Sequence, residues 1–318
     1  MTSPAPILVI VGPTAGGKSA LAMELARTLP GECISADSMQ IYRGMDIGTA
    51  KPTAAERSEI PHHLIDLVEP DDDGFTVDAW LERATATIDE IRRRGRTPIV
   101  VGGTNLYVRA LLEGLFEGPE PDPALRAALE ALPLTALREE LCRVDPPSAA
   151  RIHPNDLRRT VRALEVFRQT GTPLSTLQTQ WSADVRQNAR QDAIVVGLEW
   201  PVESINRRIN ARVKDMMAAG FLDEVRGLAA RGLGRQAREA VGYGELLEHL
   251  AGRVSLEDAV EAIKIRTRRY AKQQRTWLRR FRALERSCWL DASVEPMESW
   301  PACVRAHLLV HARAPASA

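Results

Sequence analysis

Four short apolar runs recur along the chain, and they carry little polar alternation. They are Ile7-Leu8-Val9-Ile10-Val11, Glu32-Cys33-Ile34-Ser35-Ala36, Thr97-Pro98-Ile99-Val100-Val101 and Ala193-Ile194-Val195-Val196-Gly197-Leu198. Runs of this length, rich in β-branched residues, predict strands buried on both faces, the signature of a parallel sheet. Helical periodicity fills the gaps. Leu21 and Leu25 mark one face of a helix over 20–26, and a long helix is predicted from Phe75 to Arg94. Thr104 stands where it would cap a helix over 105–113. From Pro119-Glu120-Pro121-Asp122-Pro123 to about residue 190 the pattern is helical and strand-poor. There Asp156 would cap a helix in which Leu157, Val161 and Leu164 form the apolar stripe and Arg158 and Arg162 share another face. One helix is predicted over 206–228, and a break at Gly242-Tyr243-Gly244 follows. A long amphipathic helix over 255–283 opens on Ser255 and Asp258 and carries Leu256, Val260, Ile263, Tyr270, Trp277 and Phe281. The order of elements predicts an α/β core over 1–116 and 191–318, with helices closing its C-terminal region. An inserted helical subdomain spans 117–190.

Between the first strand and the first helix lies Gly12-Pro13-Thr14-Ala15-Gly16-Gly17-Lys18-Ser19. It fits G-x-x-x-x-G-K-[ST], the phosphate-binding P-loop, and its strand–loop–helix setting is the one that motif requires. Glycines let the backbone approach an anion, and the helix N-terminus turns its free N–H groups toward it. Lys18 adds a point charge, and the Ser19 hydroxyl is a Mg²⁺ ligand by type. The fold class predicted is therefore a P-loop NTPase-like parallel sheet flanked by helices.

Composition adds limits. The 318 residues carry 42 basic and 42 acidic side chains, so the total charge gives no hint of a polyanionic partner. Cys33, Cys142, Cys288 and Cys303 are far apart, which argues against a disulfide framework or a zinc module and suits a reducing cytoplasm. No apolar stretch is long enough to cross a bilayer, so no membrane partner is expected. Charge is unevenly spread, however. Residues 56–90 hold eleven acids against two Arg, while 264–286 hold ten bases against one acid, Glu285. The basic run, interleaved with Tyr270 and Trp277, suits an RNA backbone and stacked bases better than a solvated face, with a membrane surface as the lesser alternative.

Three constellations carry candidate chemistry. Asp37 follows the second strand, at the carboxyl rim where ligands of open α/β sheets gather. It would lie beside the P-loop if the two strands were neighbours. The third strand ends in Gly102-Gly103-Thr104 with no acidic Walker-B residue, which argues against an ATPase motor and makes Asp37 the leading carboxylate. Arg208 and Arg212 are one helical turn apart and suit either a salt-bridged face or a diphosphate clamp. The adjacent His62 and His63 point to opposite sides of an extended chain, where packing is the simpler reading than chelation.

Several stretches together resemble one family, the bacterial tRNA dimethylallyltransferases (tRNA isopentenyltransferases). They are the P-loop, Asp37-Ser38-Met39-Gln40-Ile41-Tyr42, Asp46-Ile47-Gly48-Thr49-Ala50-Lys51-Pro52, Pro61-His62-His63-Leu64-Ile65-Asp66, Val101-Gly102-Gly103-Thr104-Asn105-Leu106-Tyr107, Arg151 to Asp156, Arg162-Ala163-Leu164-Glu165, Val241-Gly242-Tyr243, and Tyr270 to Trp277. They run in family order over nearly the whole chain. Met39 and Gln273 depart from the residues usual there, and the zinc finger of eukaryotic relatives is missing. The resemblance implies transfer of a dimethylallyl group from dimethylallyl diphosphate to N6 of adenosine 37 in the tRNA anticodon loop, by a cytoplasmic monomer using Mg²⁺. It implies Asp37 as general base, with Lys18, Thr14 and Arg212 as its catalytic companions. Gly12, Pro13, Thr14, Ala15, Gly16, Gly17, Lys18, Ser19 and Arg208 would hold diphosphate, with Ser19 at the metal. Asp37, Ser38, Met39, Gln40 and Thr104 would surround the flipped adenine. Arg126, Val161, Arg162, Ala163, Leu164, Glu165, Arg268 and Lys272 would grip the anticodon arm. The rival readings are a small-molecule or nucleotide kinase, which needs neither the insertion nor the basic helix, and a non-catalytic RNA-binding switch.

Overall fold

A computed structural model describes residues 5–116, 118–178, 181 and 189–312. Two compact units emerge, one from Met1–Leu112 with Ala189–Ala318, the other Glu113–Asn188.

The first unit is built on a six-stranded parallel sheet: β1 Ile7–Val11, β2 Gly31–Ser35, β3 His62–His63, β4 Thr97–Val101, β5 Ala193–Glu199 and β6 Ser287–Asp291. Their spatial order is β3-β2-β4-β1-β5-β6. The four apolar runs form its centre because every residue of β1 and β2 is buried. Alternation sends Leu8, Ile10, Cys33, Ile99 and Val196 to one face, where they pack with Leu21 and Leu25 of the helix Lys18–Thr28 and with Trp300 and Val304 of the helix Trp300–Ala312. Val9, Ile34, Val100 and Val195 are equally buried and point to the opposite face.

Three local features differ from the pattern. β1 and β2 are not neighbours, because β4 lies between them and pairs with both. The helix predicted over 206–228 is two helices, Val202–Ala218 and Phe221–Arg231. Gly220 adopts φ 96°, a left-handed conformation that ends the first and caps the second. β6 was not foreseen, since Ser287-Cys288-Trp289-Leu290-Asp291 is short and only Leu290 is buried.

Thr76 caps the helix Val77–Arg93, and Ser255 caps the helix Leu256–Arg282 by accepting the Asp258 N–H at 3.0 Å. His62 and His63 do pack and bond as an extended pair: His62 contacts the Ile60 carbonyl, and His63 the Glu32 carboxylate.

The second unit is helical, with a core of Leu129, Leu137, Leu141, Val161, Ala163, Leu164 and Val166. Asp156 caps its helix Leu157–Thr170 through the Arg159 N–H. Glu165 is fully buried there, and it would be costly as a bare charge. Arg126 meets it in a bidentate pair at 2.8 and 3.0 Å, Arg162 donates at 2.6 Å and the Asp122 N–H at 2.9 Å. Burial pushes the Glu165 carboxyl up, and the two guanidiniums more than offset it, holding it below the usual range.

Candidate active site

The P-loop closes β1 and opens the helix Lys18–Thr28. Gly17 stands at its N-cap with φ 92°, where an L side chain would be strained and would meet Met297 Cε at 2.9 Å. The carbonyls of the loop are taken up by side chains. Lys18 Nζ donates to Gly12 O at 3.0 Å and Pro13 O at 2.9 Å. Arg208 Nε donates to Ala15 O at 2.8 Å, and Trp200 Nε1 donates to Gly16 O at 3.0 Å. With the carbonyls held, the free N–H groups of the first helical turn are left for an anion.

That turn opens on a cavity of about 380 Å³ lined by Ala15, Gly16, Gly17, Lys18, Ser19 and Ala20, and by Arg208, Ala211, Arg212 and Asp215. Of the residues expected to hold diphosphate, Gly12, Pro13 and Thr14 are absent from this wall. Gly12 and Pro13 hold Lys18 instead, and the Thr14 N–H is held by Gln274. Burial, with the neighbouring Arg212, pulls the Lys18 ammonium down to about 8, against an upward pull from Asp37. Burial likewise lowers Arg212, again opposed by Asp37.

Asp37 lies just past the end of β2. Its Oδ1 accepts the Met39 N–H at 2.9 Å. Burial raises its pKa, and the Met39 N–H, Lys18 and Arg212 only partly offset that. Asp37 thus shares a field with Lys18 and Arg212 even though β4 separates its strand from β1. The loop after β4 fills the gap. Gly102 comes so near the β2 end that a Cβ would lie 2.1 Å from Ala36 O. Thr104 Oγ1 accepts the Ser38 N–H at 2.9 Å and donates to Ser38 Oγ at 3.1 Å, so the hydroxyl expected to cap the next helix bridges to the Asp37 loop. Gln40 is committed internally: Ser35 donates to its Oε1, and its Nε2 reaches the Thr49 and Ala50 carbonyls. Met39 is half-buried beside it.

Several side chains expected to contact RNA are placed elsewhere. Val161, Ala163, Leu164 and Glu165 are buried in the core of the helical unit, and Arg126 and Arg162 are spent on Glu165. In this structure those four buried side chains serve the packing of the helical unit. Arg268 is tied to Asn210 and Glu261, both at 3.0 Å. Lys272 is exposed. It shares a helical face with Arg269, Arg275 and Arg279, and among the described residues these four make no ion pair within 4 Å. Tyr270 and Trp277 are not free platforms: Tyr270 donates to Gly103 O at 2.8 Å, and the Trp277 ring lies 5.8 Å from the Arg109 guanidinium.

Sequence reasoning missed Gln274 and Trp200. Gln274 had a visible signal. It occupies the core-facing register of an amphipathic helix, in line with Ile263, Ala271, Leu278 and Phe281, all buried. A polar amide in an apolar stripe needs buried partners. No group of three or more His, Cys, Asp or Glu side chains among the described residues is arranged to hold a metal ion.

A family model described as IPP transferase matches residues 40–281. A tRNA dimethylallyltransferase of Syntrophobacter fumaroxidans is 48% identical over 294 residues, covering 91% of this chain and 84% of the relative. Among solved structures, the tRNA delta(2)-isopentenylpyrophosphate transferase of Staphylococcus epidermidis is 36% identical with TM-score 0.69, covering 97% of this chain and 100% of the other. A eukaryotic dimethylallyltransferase acting on tRNA is 30% identical with TM-score 0.80, covering 96% and 79%.

Proposed function

The chain belongs to the IPP transferase family, the tRNA prenyltransferases, and from that premise we propose that it moves a dimethylallyl group from dimethylallyl diphosphate to N6 of adenosine 37 in the tRNA anticodon loop. The donor's C1–O bond breaks and its electron pair leaves with diphosphate. The C1–N6 bond forms, and the N6 proton passes to Asp37.

The observation that carries this reading is the cavity at the P-loop turn, whose wall brings Lys18 and Ser19 together with Arg208 and Arg212 of the helix Val202–Ala218. An allylic diphosphate ionises once its leaving group is neutralised, and Lys18, Arg212 and the first-turn N–H groups line the cavity that would do so. The adenine amine is a poor nucleophile because its lone pair is delocalised. A carboxylate that accepts its proton contributes typically ~10²–10⁴-fold. Desolvation moves Asp37 toward the operating pH, as a general base requires. β4 is followed by Gly102-Gly103-Thr104, and a reaction that transfers no phosphoryl group has no need of an acid there.

Mg²⁺ fits the donors present. The Ser19 hydroxyl and the Asp215 carboxylate are hard oxygen ligands on the cavity wall, and Mg²⁺ takes few protein ligands beside substrate phosphates. When bound, it would neutralise charge on the diphosphate. The face of Arg269, Lys272, Arg275 and Arg279, exposed except for the half-buried Arg275, suits the phosphates of the anticodon arm. The site is assembled within one chain, which fits a monomer. No described helix is long and apolar enough to cross a membrane, and tRNA as substrate supports work in the cytoplasm.

The test is incubation with unmodified tRNA, Mg²⁺ and either dimethylallyl diphosphate or ATP, followed by mass spectrometry of anticodon-loop fragments. One five-carbon group on adenosine 37 is expected. Phosphate transfer from ATP without prenylation would overturn the reading.

A further inference from the structure

β4 separates the strand that feeds the P-loop from the strand that feeds Asp37. The loop after β4 is bonded to the loop that carries Asp37, so it is this loop that must be tied to the P-loop. Gln274, 1% exposed, ties the two from the helix Leu256–Arg282. Its Oε1 accepts the Thr14 N–H at 2.8 Å, and its Nε2 donates to the Gly103 carbonyl at 3.0 Å. The amide's orientation is fixed, since only that orientation pairs an acceptor with the N–H and a donor with the carbonyl.

Gly103 shows how close the fit is. A Cβ there would lie 2.8 Å from Gln274 Nε2, 3.3 Å from Tyr270 Oη and 3.8 Å from Asp37 Oδ2. From Gly103 the chain of contacts runs on through Thr104 to Ser38, next to Asp37. At its other end, Thr14 sits in the same loop turn whose carbonyls hold Lys18.

We infer that Gln274 is a positioning residue of the prenyl transfer, holding the diphosphate loop in register with the loop that carries Asp37. The inference rests on the prenyl-transfer reading. Both amide atoms of Gln274 are engaged within the protein, so it acts through the two loops. It sets the distance between the carbon that departs from diphosphate and the amine that receives it, and rate depends steeply on that distance. The phosphate-binding groups themselves do not depend on it, because Lys18, Arg208 and Trp200 hold the loop's carbonyls independently.

Two variants test this beside the wild type, with kcat and the donor KM measured at saturating tRNA and folding followed by thermal melt. Gln274→Met keeps the volume and removes both bonds. Gln274→Glu keeps the acceptor for Thr14 and sets a carboxylate oxygen against the Gly103 carbonyl. Both are expected to lower kcat by ~10²-fold while the donor KM stays within about threefold. A folded variant with wild-type kcat would overturn the inference, as would a loss confined to KM. If Gln274→Met does not fold, Gln274→Glu alone decides. A wild-type protein that transfers no prenyl group would sink the functional reading instead, so the two failures are distinguishable.

Discussion

Arg208 lies with its guanidinium carbon 4.6 Å from the centre of the Trp200 ring, while its Nε donates to the Ala15 carbonyl. Stacking fixes the plane of the fork, and the fork fixes the loop. Trp200 adds its own N–H to Gly16 O. This pair pre-forms the anion nest before donor arrives. Arg208→Ala is expected to raise the donor KM ~10-fold, since the loop must then be ordered by the ligand itself. Trp200→Phe keeps a ring under the guanidinium and loses one hydrogen bond, so a rise of only about three- to tenfold is expected. Steady-state kinetics with varied donor check both. An unchanged KM in Arg208→Ala would show that the loop holds its shape alone.

Asp37 and Lys18 set opposite limits on pH. Asp37 must be ionised to accept the proton, and burial raises its pKa above the ordinary carboxylate range. Lys18 must be protonated to neutralise diphosphate, and burial and Arg212 lower it to about 8. Activity should therefore rise with pH as Asp37 ionises and fall as pH passes about 8. In Asp37→Asn, kcat is expected to fall ~10²–10⁴-fold and the acid limb to vanish while tRNA affinity is kept. A pH–rate profile of kcat/KM with a filter-binding isotherm checks this. Full activity in the variant would remove Asp37 from the chemistry.

The Glu32 carboxylate of β2 accepts from Arg94 and Arg96, which lie just before β4, and from His63 of β3. Burial alone would raise its pKa; the hydrogen bonds from Arg94, His63 and Arg96 reverse that and hold it at about 2, from an ordinary 4.5. A lowered carboxylate pKa stabilises the fold above the unfolded value. That contribution is lost as pH falls from about 4.5 toward 2. Its size is at most ~3 kcal/mol, reduced because Arg94 and Arg96 are half in water. Glu32→Gln should be less stable at neutral pH, with the difference from wild type shrinking on acidification. Urea midpoints at pH 7 and pH 3 measure it, and a constant difference would contradict the assignment.

What the sequence made legible was what local pattern controls. The strands of the sheet centre and the P-loop follow from runs of apolar residues and fixed spacing, so their letters suffice. Strand order does not follow from them. Nothing in Glu32 to Ala36 says that β4 will insert beside it, and so whether the strand of Asp37 neighbours that of the P-loop is open in the sequence and decided by the sheet order. Gly220 was overlooked because the apolar period continues in phase across it, while its φ of 96° ends the helix. Gln274 was legible as an oddity in an apolar stripe, but its partners lie 260 and 171 residues away, and no local rule names them. The apolar stripe places Val161 and Leu164 in the core, where they lie together with Ala163, whose burial the stripe does not announce.

Charge on the helix Leu256–Arg282 divides into two sets, and each should answer salt differently. Arg268 is held by Asn210 and Glu261, Arg266 by Glu245, and Lys264 by Glu261. These cations are already neutralised within the fold, so they release few counterions from RNA. Arg269, Lys272, Arg275 and Arg279 stand three or four residues apart on one face without acidic partners among the described residues. Each contact from this second set to a phosphate adds to the salt dependence of binding. Lys272→Ala and Arg269→Ala are each expected to weaken tRNA binding about uniformly across sequences and to reduce the slope of log K against log salt by ~0.7–1. Arg268→Ala should change that slope much less, its cost falling on the contact with the helix Val202–Ala218 instead. Titrations from low to moderate salt separate the two sets, and equal slopes for Arg268→Ala and Lys272→Ala would show that the internal ion pairs open when RNA binds.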